Sequence, residues 1–144
     1  MNVDAILADK GTKVATTRPD ATIATVVGLL KLEGIGALLV SEDGKSIDGI
    51  ISERDIVRGL AEHGAALLEL KVSSLMTANV KTCARDTKVT DAMAEMTRSR
   101  IRHLPVIEDS ALVGVISIGD VVKNRLQELE TETSVLRDFI VGRS

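Results

Sequence analysis

Two aspartates each follow a serine at the same spacing, in Ser52-x-x-Asp55 and Ser117-x-x-Asp120. Each pair sits inside one phrase that occurs twice. Gly49-Ile50-Ile51-Ser52-Glu53-Arg54-Asp55-Ile56-Val57 returns as Gly114-Val115-Ile116-Ser117-Ile118-Gly119-Asp120-Val121-Val122. A serine placed just before an amphipathic run is helix N-cap chemistry, and an acid in the first turn faces the positive end of the helix dipole. As a dipole partner alone such an acid is worth roughly 0.3–1 kcal/mol. Its carboxylate can also accept hydrogen bonds from two adjacent hydroxyls of a bound molecule, and a free N–H at the helix start can meet a ligand. One Ser-x-x-Asp would carry no weight. Its recurrence in register makes Asp55 and Asp120, with Ser52 and Ser117, candidate binding groups. Ile51 and Ile116 precede the serines and read either as an apolar shelf for a ligand or as plain core.

The two copies differ where chemistry would follow. Gly36-Ala37 in the first copy corresponds to Arg102-His103 in the second. Arg102 offers a bidentate fork for an anion, and His103 a donor that titrates near neutrality. Arg98 and Arg100 read as a solvated turn. Gly36 leaves room for a bulkier ligand, or the first site borrows a cation from elsewhere. Arg54, which corresponds to Gly119, is the candidate for that loan. Arg18 and Arg85, just before the Asp20 and Asp86 turns, are weaker ones.

No catalytic constellation is visible. His63 precedes Gly64 and suits a helix C-terminus. His103 has no nucleophile beside it in sequence. Glu42-Asp43 and Glu108-Asp109 fall on expected hairpin turns. There is no phosphate-binding Gly-x-x-x-x-Gly-Lys, and Gly34-x-Gly36 lacks the third glycine of a dinucleotide fingerprint. Cys83 is the single cysteine, so no internal disulfide or cysteine metal cluster can form.

The elements that must position these residues follow from periodicity. The 144 residues suffice for one good core, and each half, at about 60 residues, would be marginal alone, so a shared core is expected. Apolar residues make up 44% and charged residues 27% of the chain, and Phe139 is the only aromatic besides two histidines. The core must be aliphatic. Net charge is −3 and the pI about 5.4, which argues against nucleic-acid and acidic-membrane partners. No leader and no membrane span is apparent. A reduced, cytoplasmic setting fits.

In the first copy a strand is expected over Val14–Thr16. A helix follows from an N-cap at Thr22, with Ile23, Val26, Val27 and Leu30 at helical spacing and a stop at Gly34. Strands Ala37–Val40 and Ile47–Ser52 flank a turn at Glu42-Asp43-Gly44-Lys45, and a helix runs from Ser52 to about Leu60. The second copy repeats this with a strand Val80–Thr82, a helix Val89–Arg98, strands Leu104–Ile107 and Leu112–Ser117, and a final helix from Gly119-Asp120 to about Val141. A short helix over Asn2–Ala8 leads, and Gly64–Leu75 is a helical connection. The class is α+β. Residues 1–64 hold the first repeat with the leading helix, and residues 65–144 the connection, the second repeat and the long last helix.

The repeated Gly-h-h-Ser-x-x-Asp, where h is apolar, together with Arg102-His103-Leu104-Pro105-Val106 resembles the CBS domain, a module found in tandem pairs. The resemblance spans roughly Val3 to Gln127. It implies two repeats packed sheet to sheet about a pseudo-two-fold axis, with clefts for adenosyl ligands: AMP, ADP, ATP, NAD(H) or S-adenosylmethionine. It implies that Asp55 and Asp120 hold ribose hydroxyls, that Ile51 and Ile116 meet adenine, and that Arg102 and His103 contact phosphate. The Asp120 site, with Ser117 and Gly119, is then expected to prefer a phosphorylated ligand, AMP first. Arg18 and Arg85 would line the crossover, and Gly36, Ala37 and Arg54 the first site. The implied protein is a non-catalytic regulatory homodimer that a further protein reads. The rival is a ligand-free scaffold built on the apolar face of the last helix, from Leu126 to Ile140.

Overall fold

The computed structural model describes residues 1–141. The chain runs α1 (Val3–Lys10), β1 (Thr16–Thr17), α2 (Ile23–Glu33), β2 (Ala37–Val40), β3 (Gly49–Ser52), α3 (Glu53–His63), two 3-10 segments (Gly64–Glu69 and Val72–Ser74), α4 (Val89–Ser99), β4 (His103–Glu108), β5 (Ala111–Ser117) and α5 (Ile118–Val141). The class is α+β, as the residue pattern implies. Thr22 caps α2 by accepting from the Thr25 N–H at 3.3 Å, and Gly34 ends it with a left-handed φ of 65°. Ile23, Val26 and Leu30 are its buried stripe. The expected α-helical connection after Gly64 is 3-10 instead, in two short pieces.

The first sheet has the order β1-β2-β3, with β2 parallel to β1 and antiparallel to β3. The second sheet is only β4-β5, antiparallel. The strand expected at Val80–Thr82 is absent and reduces to one bridge, Cys83 with Val106. The cause is Pro105. In the first repeat the Leu39 N–H donates to the Ala15 carbonyl at 3.4 Å. Pro105 takes the place of Leu39 and has no N–H, so that rung is lost. The rungs on either side of Cys83 remain, from Cys83 N to Pro105 O and from Ile107 N to Cys83 O, both 2.9 Å.

The expected single core is two clusters. One holds Ile23, Val26, Leu38, Val40, Ile51, Leu67 and Val72. The other holds Val3, Ile6, Leu7, Val89, Met96, Leu104, Val106, Ile116 and Val121. Thus α1 packs on the second repeat, while the 3-10 connection packs on the first. The two roles are equivalent bond for bond. Val3 N donates to Thr87 O and Val72 N to Ala21 O, each at 2.8 Å; Asp4 N donates to Arg85 O at 2.9 Å and Ser73 N to Pro19 O at 3.0 Å. Leu7 crowds Gly114 as Met76 crowds Gly49: a Cβ on either glycine would lie 2.8 Å from the nearest side-chain atom. Each small sheet is covered by its own helices and by the segment that precedes the other repeat, and strand residues of both sheets face one another across a shared cleft.

Candidate functional site

The two Ser-x-x-Asp phrases form the same local device. Asp55 Oδ2 accepts from the Ser52 N–H at 2.9 Å and from the Ser52 hydroxyl at 3.1 Å, and the Asp55 N–H donates back to Ser52 Oγ at 3.4 Å. This is a reciprocal cap on α3. Asp120 Oδ2 accepts from the Ser117 N–H at 2.8 Å, and the Asp120 N–H donates to Ser117 Oγ at 3.2 Å. Among the described residues the hydrogen bonds to either carboxylate fall on Oδ2. Oδ1 is left in both for another partner.

Around Asp120 the device gains a cation. Lys10, the last residue of α1, donates from Nζ to Asp120 Oδ2 at 2.7 Å and to the Val115 carbonyl at 3.0 Å. Burial resists charge on Asp120, but the Lys10 ammonium and the Ser117 N–H outweigh it and hold the carboxyl below its ordinary value.

Lys10 and Ser117 both line a cleft of about 380 Å³ that opens between the repeats. Its first-repeat wall is Val14, Ala15 and Gly34–Ala37; its second-repeat wall is His103, Val115 and Ser117, with Ile50 below. Lys13 and Glu33 add charge of both signs. Burial keeps the His103 imidazole below its ordinary value, Lys10 adds to that, and Asp120 and Glu53 oppose it. The apolar lining, two lysines and the Asp120 carboxylate that Lys10 holds beside the cleft fit a ligand with a flat apolar part, hydroxyls and an anionic end.

Several expected site residues are arranged differently. Ile51 and Ile116 are fully buried, so neither can meet a ligand. Side chains alternate along a strand, and it is their neighbours Ile50 and Val115 that face the cleft. Gly36 and Ala37, assigned to the first site, line the cleft beside Ser117. Arg102 and His103 part company for the same reason of alternation. His103 faces this cleft, whereas Arg102 lines a separate groove of about 510 Å³ with Arg54, Thr97, Arg100 and Ile118. Arg54 does reach across the repeats, donating to the Arg100 carbonyl at 3.2 Å.

Arg18 and Arg85 line neither opening. Arg18 is bound to Asp20 and to the Glu42 carbonyl, and Arg85 bridges Asp4 at 2.9 Å and Glu108 at 2.8 Å. Arg18 is thus engaged by one carboxylate and one backbone carbonyl, and Arg85 by two carboxylates. Ser52, Asp55 and Asp120 also line neither opening; Asp120 adjoins the cleft through Lys10 and Ser117, which do line it. Gly119 occupies the first turn of α5, where a Cβ would meet only Ser117 Oγ at 3.6 Å. Among the described residues no cluster of three or more His, Cys, Asp or Glu could hold a metal. The Cys83 thiol is pushed up to about 11 by burial, which makes it a poor nucleophile.

Lys10 went unseen because it lies in the leading helix, far in sequence from both Ser-x-x-Asp phrases. Its signal was available: Val3 and Leu7 match the apolar spacing of Val72 and Met76 before the second repeat.

Comparison with known proteins places this geometry in context. The family model described as CBS domain matches residues 9–62 and 72–126. The chain is similar to the mitochondrial CBS domain-containing protein CBSX3 of Arabidopsis thaliana, 39% identical over 127 residues, which cover 85% of this chain and 62% of that protein's length. It thus spans less than two thirds of that relative. The crystal structure of the CBS-domain containing protein ATU1752 from Agrobacterium tumefaciens matches with a TM-score of 0.84 at 43% identity, covering 86% of this chain and 92% of that one. The CBS domain pair of protein MJ0100, solved in complex with 5′-methylthioadenosine and S-adenosyl-L-methionine, matches with a TM-score of 0.78 at 25% identity, covering 89% and 98%.

Proposed function

The chain belongs to the CBS domain family, and from that premise we propose that it is a regulatory module that binds an adenine nucleotide between its repeats. The observation that carries this reading is the free Oδ1 of Asp120, at the head of α5 beside a cleft built from both repeats. Asp120 takes the ribose hydroxyls, Ile50 and Val115 give the adenine an apolar seat, and Lys10, Lys13 and His103 stand toward the phosphate. The adenosyl complexes of protein MJ0100 support the ligand class. AMP is the first candidate, with ADP, ATP and NAD(H) as alternatives. The groove of Arg54, Arg100 and Arg102, with Asp55 next to Arg54 in sequence, is the candidate for a second, weaker site.

A ligand held by both walls favours one placement of the repeats, and a partner protein reads that placement. We read the module as regulatory rather than catalytic, and Cys83, unpaired, suits a reducing cytoplasmic setting. No helix among the described residues is long and apolar enough to cross a membrane.

The test uses composition. The chain has no Trp and no Tyr, so it is nearly transparent where adenine absorbs. Protein purified without added nucleotide is denatured, and the released small molecules are read by absorbance and mass. An adenine-bearing species supports the reading; a blank followed by no uptake of AMP, ATP or NADH removes it.

One observation favours a second reading. Leu126, Leu129, Val135, Leu136, Phe139 and Ile140 on α5 are each 46–64% exposed in the single chain. Such a stripe suits a seam between two copies, which the nucleotide reading also uses. If the scaffold reading is right, the chain dimerises through α5 and its size and shape in scattering are indifferent to nucleotide. Truncation after Arg125 tests the seam: a truncated chain that stays dimeric removes α5 from the interface.

A further inference from the structure

The Asp120 carboxylate is not simply open to a ligand. It is already paired with Lys10 at 2.7 Å, and the same ammonium reaches the Val115 carbonyl at 3.0 Å. Lys10 is not a loose surface residue that happens to fall there. The backbone of α1 is fixed to the second repeat by Val3 N to Thr87 O at 2.8 Å, and by Leu7, which is buried against Gly114. Immediately beyond Lys10 the chain turns at Gly11, whose φ of 94° suits glycine. The helix is therefore a rigid arm, and the lysine side chain at its tip, one third exposed, is the movable part.

The pairing is specific to one cleft. The connection segment repeats the role of α1 on the first repeat, Val72 standing for Val3 and Met76 for Leu7. Position for position, Lys10 then corresponds to Asn79, which is uncharged.

A ligand that seats hydroxyls on Asp120 must share that carboxylate with Lys10 or displace the ammonium from it. A neutral ligand that takes over the carboxylate offers the Lys10 ammonium no partner in exchange for the one it loses. A ligand with an anionic group next to its hydroxyls gives the ammonium a new partner within reach of its flexible stem. Lys13 and His103 also line the cleft, but the ammonium paired with Asp120 is that of Lys10.

We propose that Lys10 is a tethered counter-ion that sets the charge of what the Asp120 cleft accepts, admitting 5′-phosphorylated adenosyl ligands over neutral ones such as 5′-methylthioadenosine. This rests on the adenosyl reading of the cleft. It goes beyond it by assigning ligand class to a residue outside both repeated phrases.

The test is equilibrium dialysis of AMP and of 5′-methylthioadenosine against the full chain, Lys10→Met and Lys10→Arg. The expected result is a preference of the natural chain for AMP that Lys10→Met cuts by about tenfold and Lys10→Arg retains. Lys10→Met should weaken AMP while leaving 5′-methylthioadenosine unchanged or tighter. A ratio in Lys10→Met within about twofold of the natural chain's would overturn the assignment while leaving the adenosyl reading intact. A natural chain that prefers 5′-methylthioadenosine would also overturn it. Failure of both ligands to bind the natural chain would instead sink the adenosyl reading, and the Lys10 assignment with it. A folding defect is excluded in the same experiment, because a damaged cleft loses both ligands together.

Discussion

Asp120→Asn is the substitution on which the ligand reading and the purely structural one diverge. The change keeps the shape of the side chain and removes its charge. In the natural chain Oδ2 is committed to the Ser117 N–H and to Lys10, while Oδ1 is left over. If ribose hydroxyls donate to this carboxylate, each such bond to a charged acceptor is worth about 1.5–3 kcal/mol. An amide oxygen offers one acceptor of ordinary strength, about 0.5–1.5 kcal/mol. The difference is about 1–1.5 kcal/mol per bond, or about 2–3 kcal/mol for the two ribose hydroxyls, so AMP affinity should fall roughly 30- to 150-fold. Stability should fall far less. The amide can still accept from the Ser117 N–H, and the lost dipole and Lys10 interactions of a partly exposed group come to about 1 kcal/mol. For a chain of this size that lowers Tm by about 3 °C. Calorimetric titration with AMP and a thermal melt therefore read two separate quantities. A Tm that drops while AMP affinity stays within about threefold would refute the ribose role and leave Asp120 as a helix-start acid alone.

Three further outcomes follow from the packing and the charges. Leu7→Ala empties a site in the second cluster, where Leu7 is 2% exposed against Gly114, and should cost about 2–4 kcal/mol in urea unfolding; a loss below about 1 kcal/mol would contradict the packing of α1 on the second repeat. Pro105→Leu restores an N–H facing the Lys81 carbonyl, so an amide protected from hydrogen exchange should appear at position 105; rapid exchange there would contradict the account of the missing strand. Acid should unfold the protein in steps set by two groups whose folded values both lie below their ordinary ones. His103 contributes stability above its ordinary 6.5 that is lost as pH falls below it, because the unfolded chain takes the proton first. Asp120 contributes stability above its ordinary 3.8 that is lost as pH falls through its lower folded value. Urea midpoints of His103→Gln and Asp120→Asn against pH should flatten the upper and the lower step respectively, and unchanged profiles would remove these groups from the linkage.

The local elements were legible because their signals are local. Thr22 and Gly34 mark the ends of α2, Ala37–Val40 reads as a buried strand, and Ser52 and Ser117 announce two helix starts. The loss of the Val80–Thr82 strand was legible in principle from Pro105, once its place opposite that strand is known. What stayed hidden depends on which face a residue takes and on what comes from afar. A strand residue and its neighbour are equally apolar in Ile50-Ile51 and Val115-Ile116, and only the packing decides that Ile51 and Ile116 are core. Arg102 and His103 are adjacent yet face different openings. Arg18 and Arg85 look available in the sequence because the groups that hold them, apart from Asp20, are distant in it: the Glu42 carbonyl for Arg18, and Asp4 and Glu108 for Arg85. The crosswise packing of α1 joins Lys10 to Asp120 across nearly the whole chain, and periodicity within a repeat cannot announce such a contact.

The most direct test of the central claim is amide NMR of the natural chain during titration with AMP. The account predicts saturable shifts concentrated at Ile50, Ala37, His103, Val115 and Ser117, with Asp120 at their centre. Shifts confined to α5 or spread without saturation up to millimolar AMP would contradict it, and the apolar face of α5 would then be the feature that defines the protein.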